Sequence, residues 1–273
     1  MPQLTVRPSG CPIEIVAHRG ASIEAPENTL AAVELAWQLG ADAVEIDVQL
    51  TRDGQLAVIH DSTLERTAGI DQRVRDVDMS ELRKIDVGSW KGDAWRNESV
   101  SDLSQILASI PTGHRLFVEL KGGDDTANHE EILAALKCDL SVLSSTPDSV
   151  VLISFDPALL RLVKQSLPKF DAFLVVQQKP DTSSSVSEES TADTWSPTID
   201  EIINVAVSSG FDGVDLSNTA AISNNAVETI HQANLASCAW TVNSVVDARR
   251  LTNVGVGSLT TDDPRTMLAA LKN

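Results

Sequence analysis

Short runs of β-branched and aliphatic residues alternate along this chain with longer stretches whose apolar residues recur at helical spacing. The first run, Ile13–Ala17, precedes a predicted helix over Thr29–Leu39, with Asn28 as its N-cap and Gly40 just beyond its end. The later runs predict strands at Ala43–Leu50, Leu116–Leu120, Val150–Ser154, Ala172–Val176, Gly213–Leu216, Ala236–Thr241 and Gly257–Thr261. Helical segments lie between them at Glu130–Leu136, Ala158–Leu167, Ile199–Ser208, Ala226–Ala233 and Asp247–Asn253, and a last helix follows Asp263-Pro264.

Repeated strand–helix units of this kind are typical of an α/β protein with a parallel sheet. Eight strands in a chain of 273 residues favour a single (β/α)8 TIM barrel over the whole of 1–273. A doubly wound sheet is the alternative that the pattern leaves open. The Asp53-Gly54 turn predicts a hairpin, in which Leu56–Ile59 returns antiparallel to the second strand.

Two stretches depart from the repeat. Ser62–Asp102 is a long, charged insertion after the hairpin, and we expect it to form a cap over the barrel mouth. Lys179–Pro197 is acidic and rich in Ser and Thr, which predicts a surface loop near the mouth after the fifth strand.

Composition and charge restrict the partners. The formal net charge of −18 argues against nucleic acid and against anionic membranes, because both would be repelled. No stretch is long and apolar enough to predict a membrane span, and the first residues lack the apolar core of a signal peptide. The three cysteines are too widely spaced for a disulfide framework or a zinc site. These features predict a cytoplasmic protein with reduced thiols, although a secreted protein with idle thiols is also compatible with them.

Charged residues occur inside strands that should be buried on both faces. Glu45 and Asp47 are two residues apart, so they share one face of the second strand, and the same holds for Glu119 and Lys121 in the third. Three converging carboxylates repel one another, and a hard divalent cation is the usual remedy. The alternative is a layer of structural salt bridges made by Glu119 with Lys121 or Arg19.

Two histidines end neighbouring strands. His18 closes the first strand, and His60 closes the hairpin arm beside the second. Catalytic groups of barrel enzymes lie at the C-terminal ends of the strands, and two imidazoles there can take and give a proton near neutral pH. Arg19 and Lys121 add fixed positive charge suited to a phosphate anion.

The chain resembles the glycerophosphodiester phosphodiesterase family in motifs that occur in the family's order from about residue 14 to 268. The motifs are AHRG (Ala17–Gly20), APENT (Ala25–Thr29), EIDVQLTRDGQLAVIHD (Glu45–Asp61), LERT (Leu64–Thr67), ELK (Glu119–Lys121), ISFD (Ile153–Asp156), WTVN (Trp240–Asn243) and TTDDP (Thr260–Pro264). The resemblance implies a TIM barrel related to the phosphatidylinositol-specific phospholipases C.

The resemblance also implies roles for residues of this chain. His18 and His60 would be the acid–base pair, and Glu45, Asp47 and Glu119 would bind one divalent cation, Mg²⁺ or Ca²⁺. Arg19 and Lys121 would contact the phosphate. Trp240 would form a wall of the alcohol or glycerol pocket, with core packing as the alternative.

We therefore expect metal-dependent hydrolysis of a small-molecule glycerophosphodiester to glycerol 3-phosphate and an alcohol. Three rival functions remain at this point. They are proton abstraction in an enolase-type barrel, a lysophospholipase-D-like or sphingomyelinase-D-like reaction at the same site, and a non-catalytic barrel that binds a metal or glycerophosphate. The carboxylate spacing disfavours the first, since two of the ligands come from one strand, and the acidic charge disfavours membrane substrates.

Overall fold

Eight parallel strands form a closed barrel in the computed structural model, which describes residues 13–122, 128–141, 147–180 and 195–272. The barrel strands are β1 (Glu14–His18), β2 (Ala43–Leu50), β4 (Arg115–Leu120), β5 (Val150–Ser154), β6 (Asp171–Val176), β9 (Gly213–Ser217), β10 (Ala236–Trp240) and β11 (Ser258–Thr261). β1 pairs in parallel with both β2 and β11, so the eight parallel strands close into a ring. The predicted TIM barrel is confirmed, because a doubly wound sheet would leave its two outer strands unpaired.

Helices follow the strands around the barrel. They are α1 (Leu30–Leu39), α4 (Leu103–Ala108), α5 (His129–Leu140), α6 (Pro157–Ser166), α7 (Ile199–Ser209), α8 (Asn224–Gln232), α9 (Val245–Asn253) and α10 (Pro264–Leu271), with the short α2 (Glu65–Ala68) and α3 (Met79–Leu82) between β3 (Leu56–Val58) and α4. The last helix begins as predicted, with Asp263 as N-cap and Pro264 at the first helical position.

The start of α1 differs from the prediction. Thr29, not Asn28, is the N-cap, and its hydroxyl accepts a hydrogen bond from the backbone N–H of Ala32. Asn28 lies one residue earlier in the left-handed region, with φ of 58°, and its side chain points to β2. Both residue types cap helices well, so the local sequence could not distinguish them.

An apolar plug fills the interior of the barrel. Its members are Val16, Ala43, Phe117, Val151, Ile153, Phe173, Val175 and Cys238. The rings of Phe117 and Phe173 meet edge to face, with centroids 6.1 Å apart. Because strand side chains alternate, the inward residues that follow this plug along the strands lie at the C-terminal end of the barrel.

The hairpin after β2 is confirmed, since β3 runs antiparallel to β2 with Val48 opposite Val58. The insertion that follows, residues 62–102, has an apolar cluster of its own, which includes Leu64, Met79 and Leu82. Lys91 joins it to the loop between β1 and α1 by donating to the carbonyl of Ser22 at 2.6 Å. Its role as a cap over the mouth stays a prediction.

The ends of the predicted acidic loop form a short antiparallel pair, β7 (Lys179–Pro180) with β8 (Trp195–Ser196). The loop itself, residues 181–194, lies outside the described residues, and so does Cys11. Within the described ranges, no helix combines the length and the apolar character needed to cross a bilayer.

Candidate active site

Three acidic side chains meet at the C-terminal end of the barrel. Glu45 and Asp47 extend inward from β2, and Glu119 extends from the neighbouring β4, where it lies opposite Asp47 in the strand register. One carboxylate oxygen from each lies within 4.8 Å of the others, and all three residues are buried. The predicted convergence of these carboxylates is therefore present in the structure.

Two cations compensate part of this charge. Lys121 Nζ lies 2.8 Å from Asp47 Oδ1 and also pairs with Glu119, while Arg19 Nε lies 3.2 Å from Asp47 Oδ2. The backbone N–H of Arg19 donates to Glu45 Oε2 at 3.0 Å. The salt bridges that we considered as an alternative thus exist, but three carboxylates face two cations.

Glu45 is the carboxyl group of the cluster that these two cations compensate least. Its Oε1 atom is buried and has no hydrogen-bond partner among the described residues. Burial, with the neighbouring carboxylates Asp47 and Glu119, raises the pKa of Glu45 well above its usual range. Burial and Asp47 likewise raise the pKa of Glu119, although Lys121 opposes the change. A buried oxygen without a partner in an acidic cluster fits a divalent cation better than a finished salt-bridge layer.

Asp47 behaves differently because it lies between the cations. Burial alone would raise its pKa, but Lys121 and Arg19 lower the pKa of Asp47 to about 2. Its Oδ2 also accepts a hydrogen bond from the Asn28 side-chain amide at 2.8 Å, and its backbone N–H donates to Asn28 Oδ1 at 3.0 Å. Asp47 is thus held ionised and in one orientation.

Each predicted catalytic histidine is paired with a carboxylate. His18 Nδ1 lies 2.6 Å from Asp262 Oδ1, and His60 Nδ1 lies 2.6 Å from Asp61 Oδ1. A carboxylate accepts the Nδ1 proton and so leaves Nε2 for chemistry. His18 Nε2 lies 3.9 Å from Glu45 Oε2, which directs this nitrogen to the acidic cluster.

The surroundings of His60 favour its neutral form. Its ring is about a third exposed, and burial lowers the pKa of His60 despite the attraction of Asp47 and Asp61. An imidazole that is neutral near pH 7 can accept a proton, and the protonated form can return it.

Several residues that orient these groups were not predicted from the sequence. Asp262 is fixed by Asn243, whose Nδ2 donates to Asp262 Oδ2 at 2.6 Å and whose Oδ1 accepts from the Asp262 backbone N–H at 2.9 Å. Asn28 fixes Asp47 in the same way. Asp262, Asn243 and Asn28 lie in the motifs TTDDP, WTVN and APENT, so the motifs contained the residues. Their hydrogen-bond partners could not be read from the motifs, because they lie up to 244 residues away in the sequence.

Aromatic side chains line the opposite part of the mouth. Trp240, the last residue of β10, donates from its indole N–H to the Asp215 carbonyl at 3.2 Å. Its ring meets Phe155 edge to face, with centroids 5.3 Å apart, and Phe155 is 44% exposed. This exposed apolar surface at a strand end suits a pocket wall, the role expected of Trp240 from the resemblance.

The other three histidines lie outside the acidic cluster. His114 packs against the Trp37 ring, and His231 lies 3.0 Å from the Ser237 hydroxyl. His129 is buried, and its Nε2 lies 2.9 Å from Asp156 Oδ2. A Cβ on Gly122 would lie only 2.7 Å from the same Asp156 oxygen.

Comparisons with known proteins identify the family and the relatives of this chain. Residues 18–266 match the glycerophosphoryl diester phosphodiesterase family. The chain belongs to this family. It is therefore a phosphoric diester hydrolase by family.

Individual relatives cover nearly the whole chain or half of it. A glycerophosphodiester phosphodiesterase from Caldanaerobacter subterraneus is 30% identical over 257 residues, which are 93% of this chain and 96% of that protein. The Bacillus subtilis protein YhdW is 44% identical over 122 residues, which are 45% of this chain and 50% of that protein. A phosphodiesterase from Oleispira antarctica, solved with its product sn-glycerol-3-phosphate, superimposes with a TM-score of 0.79 at 26% identity and covers 96% of this chain and 98% of that one.

Proposed function

We propose that this chain hydrolyses glycerophosphodiesters to glycerol 3-phosphate and an alcohol in a metal-dependent reaction with histidine acid–base catalysis. The observation that carries the proposal is the placement of two histidine–carboxylate pairs, His18–Asp262 and His60–Asp61, at the mouth that holds the acidic cluster. The product bound to the Oleispira relative supports the same substrate class.

Glu45, Asp47 and Glu119 would hold one divalent cation, Mg²⁺ or Ca²⁺. The unpartnered Glu45 oxygen and the excess of acidic over basic groups support this donor set, since both ions prefer carboxylate oxygens. When bound, the cation would supply Lewis-acid stabilisation of phosphoryl oxygens.

Arg19 and Lys121 would contact the phosphoryl oxygens beside it. Both already border Asp47 and carry fixed positive charge, which favours the anionic transition state over the ground state. Trp240 would form a wall of the pocket on the far side of the mouth, where it packs on Phe155.

The two histidines would divide the proton transfers. One would accept the proton of the nucleophile, either water or the substrate's own 2-hydroxyl, through Nε2. The other would donate a proton to the leaving alkoxide as the P–O bond breaks. In each case the Nδ1–H bond to Asp262 or Asp61 would stabilise the imidazolium that forms.

The test is release of glycerol 3-phosphate from a panel of glycerophosphodiesters, measured by a coupled assay with the metal-loaded protein. We expect turnover with at least one headgroup, loss of turnover with chelator and recovery with Mg²⁺ or Ca²⁺. Lysophosphatidylcholine and sphingomyelin belong in the panel with choline release as their readout, because D-type cleavage of either lipid releases choline and no free glycerol 3-phosphate. Activity on these lipids alone would favour the lysophospholipase-D-like or sphingomyelinase-D-like alternative. A barrel that only binds glycerophosphate would release nothing from any of them.

The histidine roles have a separate test. With glycerophosphocholine as substrate, His18→Ala and His60→Ala should each lower turnover about 10²–10⁴-fold. A nitrophenyl leaving group needs no proton, so with that substrate the histidine that acts as general acid should become nearly dispensable. If both variants stay equally impaired on the nitrophenyl ester, the division into acid and base is wrong.

A further inference from the structure

Arg66, a residue of the insertion 62–102, is hydrogen-bonded to two carboxylates beside the candidate site. It lies in α2, and its Nε donates to Asp61 Oδ2 at 2.6 Å. Its two terminal nitrogens donate to the two oxygens of Glu27, each at 2.8 Å. A single guanidinium thus holds two carboxylates that come from different segments of the chain.

Each of these carboxylates also contacts a side chain with a proposed role in the reaction. Asp61 Oδ1 lies 2.6 Å from His60 Nδ1, and Glu27 Oε1 accepts from Arg19 Nη1 at 2.8 Å. Among the described residues, Asp61 makes side-chain hydrogen bonds with His60 and Arg66, and Glu27 makes them with Arg19 and Arg66. Without Arg66, Asp61 would keep only its contact with His60, and Glu27 only its contact with Arg19.

An ordinary surface salt bridge does not account for this geometry. Isolated exposed ion pairs contribute little to stability, and the Arg66 side chain is 44% exposed. Glu27, however, is only 13% exposed. Burial alone would raise the pKa of Glu27, but the hydrogen bonds and positive charges of Arg66 and Arg19 outweigh burial and lower it. A planar fork that donates three hydrogen bonds to two carboxylates fixes their orientation, which a lysine could not do.

We propose that Arg66 is a positioning residue, which orients His60 through Asp61 and Arg19 through Glu27. The proposal rests on the proposed function only for its kinetic readout. On this proposal the insertion contributes to the reaction, because it supplies the residue that aligns the imidazole of His60 with the guanidinium of Arg19. The two branches are distinguishable, since His60 would transfer a proton while Arg19 would bind phosphate.

The kinetic test uses the full chain loaded with metal. Arg66→Gln should lower kcat/KM about 10–100-fold, the loss typical of groups that orient catalytic ligands. Asp61→Asn should lower mainly kcat, and Glu27→Gln should raise mainly KM. The Arg66 effect on kcat should be largely absent when Asp61→Asn is already present, and its effect on KM should be largely absent with Glu27→Gln.

Arg73→Gln is the matched control. Arg73 lies in the same insertion, is 69% exposed and pairs with Asp76 three residues away. Its removal should change kcat/KM less than about twofold, as expected for an exposed pair. If Arg66→Gln behaves like Arg73→Gln, or if its losses multiply independently in both double variants, the proposal is overturned.

A second measurement separates this proposal from the proposed function. Long-range ¹H–¹⁵N spectra of the histidine rings report which nitrogen of His60 carries the proton. We expect the Nδ1–H form in the wild type, a mixture of forms in Arg66→Gln, and the wild-type pattern in Arg73→Gln. An unchanged His60 spectrum in Arg66→Gln rejects the proposal even if the wild type hydrolyses no substrate. If Arg66→Gln does not fold, Arg66→Lys replaces it in both measurements, and a variant with wild-type kcat/KM and spectrum rejects the proposal.

Discussion

Asp215 is a buried carboxyl group inside the barrel whose Oδ1 has no hydrogen-bond partner among the described residues. Burial, with a smaller contribution from Glu119, raises the pKa of Asp215 to about 8. An unfolded chain would release this proton near pH 4. Between about pH 4 and pH 8 the folded state therefore binds more protons, and this group's contribution to stability falls as the pH rises through that window.

Asp215→Asn should remove this dependence. Because the amide does not ionise, the variant should gain stability over the wild type from pH 4 upward, by as much as about 5 kcal/mol near pH 8. Urea unfolding at pH 4, 6 and 8 measures the difference. Asp93→Asn, at a side chain that is 91% exposed, is the control and should show no comparable trend. An equal difference between wild type and Asp215→Asn at all three pH values would contradict the raised pKa.

At the scale of elements, the loop between β1 and α1 positions several groups of the site. Arg19 has a φ of 57°, and its carbonyl accepts from the backbone N–H of Asn28 at 3.0 Å, which closes the loop. Gly20 follows with a φ of 82°, and a Cβ there would lie 2.5 Å from the backbone carbon of Ala32. The loop therefore requires glycine both for its conformation and for its close approach to α1.

Gly20→Ala should therefore disturb both stability and activity. The left-handed conformation alone costs an alanine about 1–2 kcal/mol, and the clash with Ala32 adds to this. Gly40→Ala is the matched control, since Gly40 has a φ of 87° but no atom within 4 Å of the added Cβ. We expect Gly40→Ala to lose only the conformational part, with kcat/KM retained. Thermal unfolding and hydrolysis assays compare them, and equal effects of the two substitutions would contradict the role given to the loop.

At the scale of the whole molecule, the barrel could be predicted because its strands have a strong local signal. The bounds of Ala43–Leu50 and Val150–Ser154 agree with the structure, and their inward residues follow from period-2 alternation. The acidic cluster followed from the same alternation, since Glu45, Asp47 and Glu119 lie on inward faces of neighbouring strands.

The orienting partners could not be predicted in this way. Asp262 meets His18 only because β11 closes the barrel against β1, and Arg66 meets Glu27 only because the insertion packs on the β1–α1 loop. Such contacts depend on tertiary packing between residues that are distant in sequence. The N-cap of α1 illustrates the same limit, because Asn28 is withdrawn from capping by its hydrogen bonds to Asp47 on β2.

The proposed reaction converts a glycerophosphodiester to a phosphomonoester with the help of a divalent cation. ³¹P NMR of purified protein with sn-glycero-3-phosphocholine in H₂¹⁸O follows the phosphorus directly. We expect the diester signal to be replaced by glycerol 3-phosphate with ¹⁸O on phosphorus, with release of choline. Chelator or Glu119→Gln should stop the reaction. Formation of phosphocholine and glycerol, or turnover that is unaffected by chelator, would contradict it.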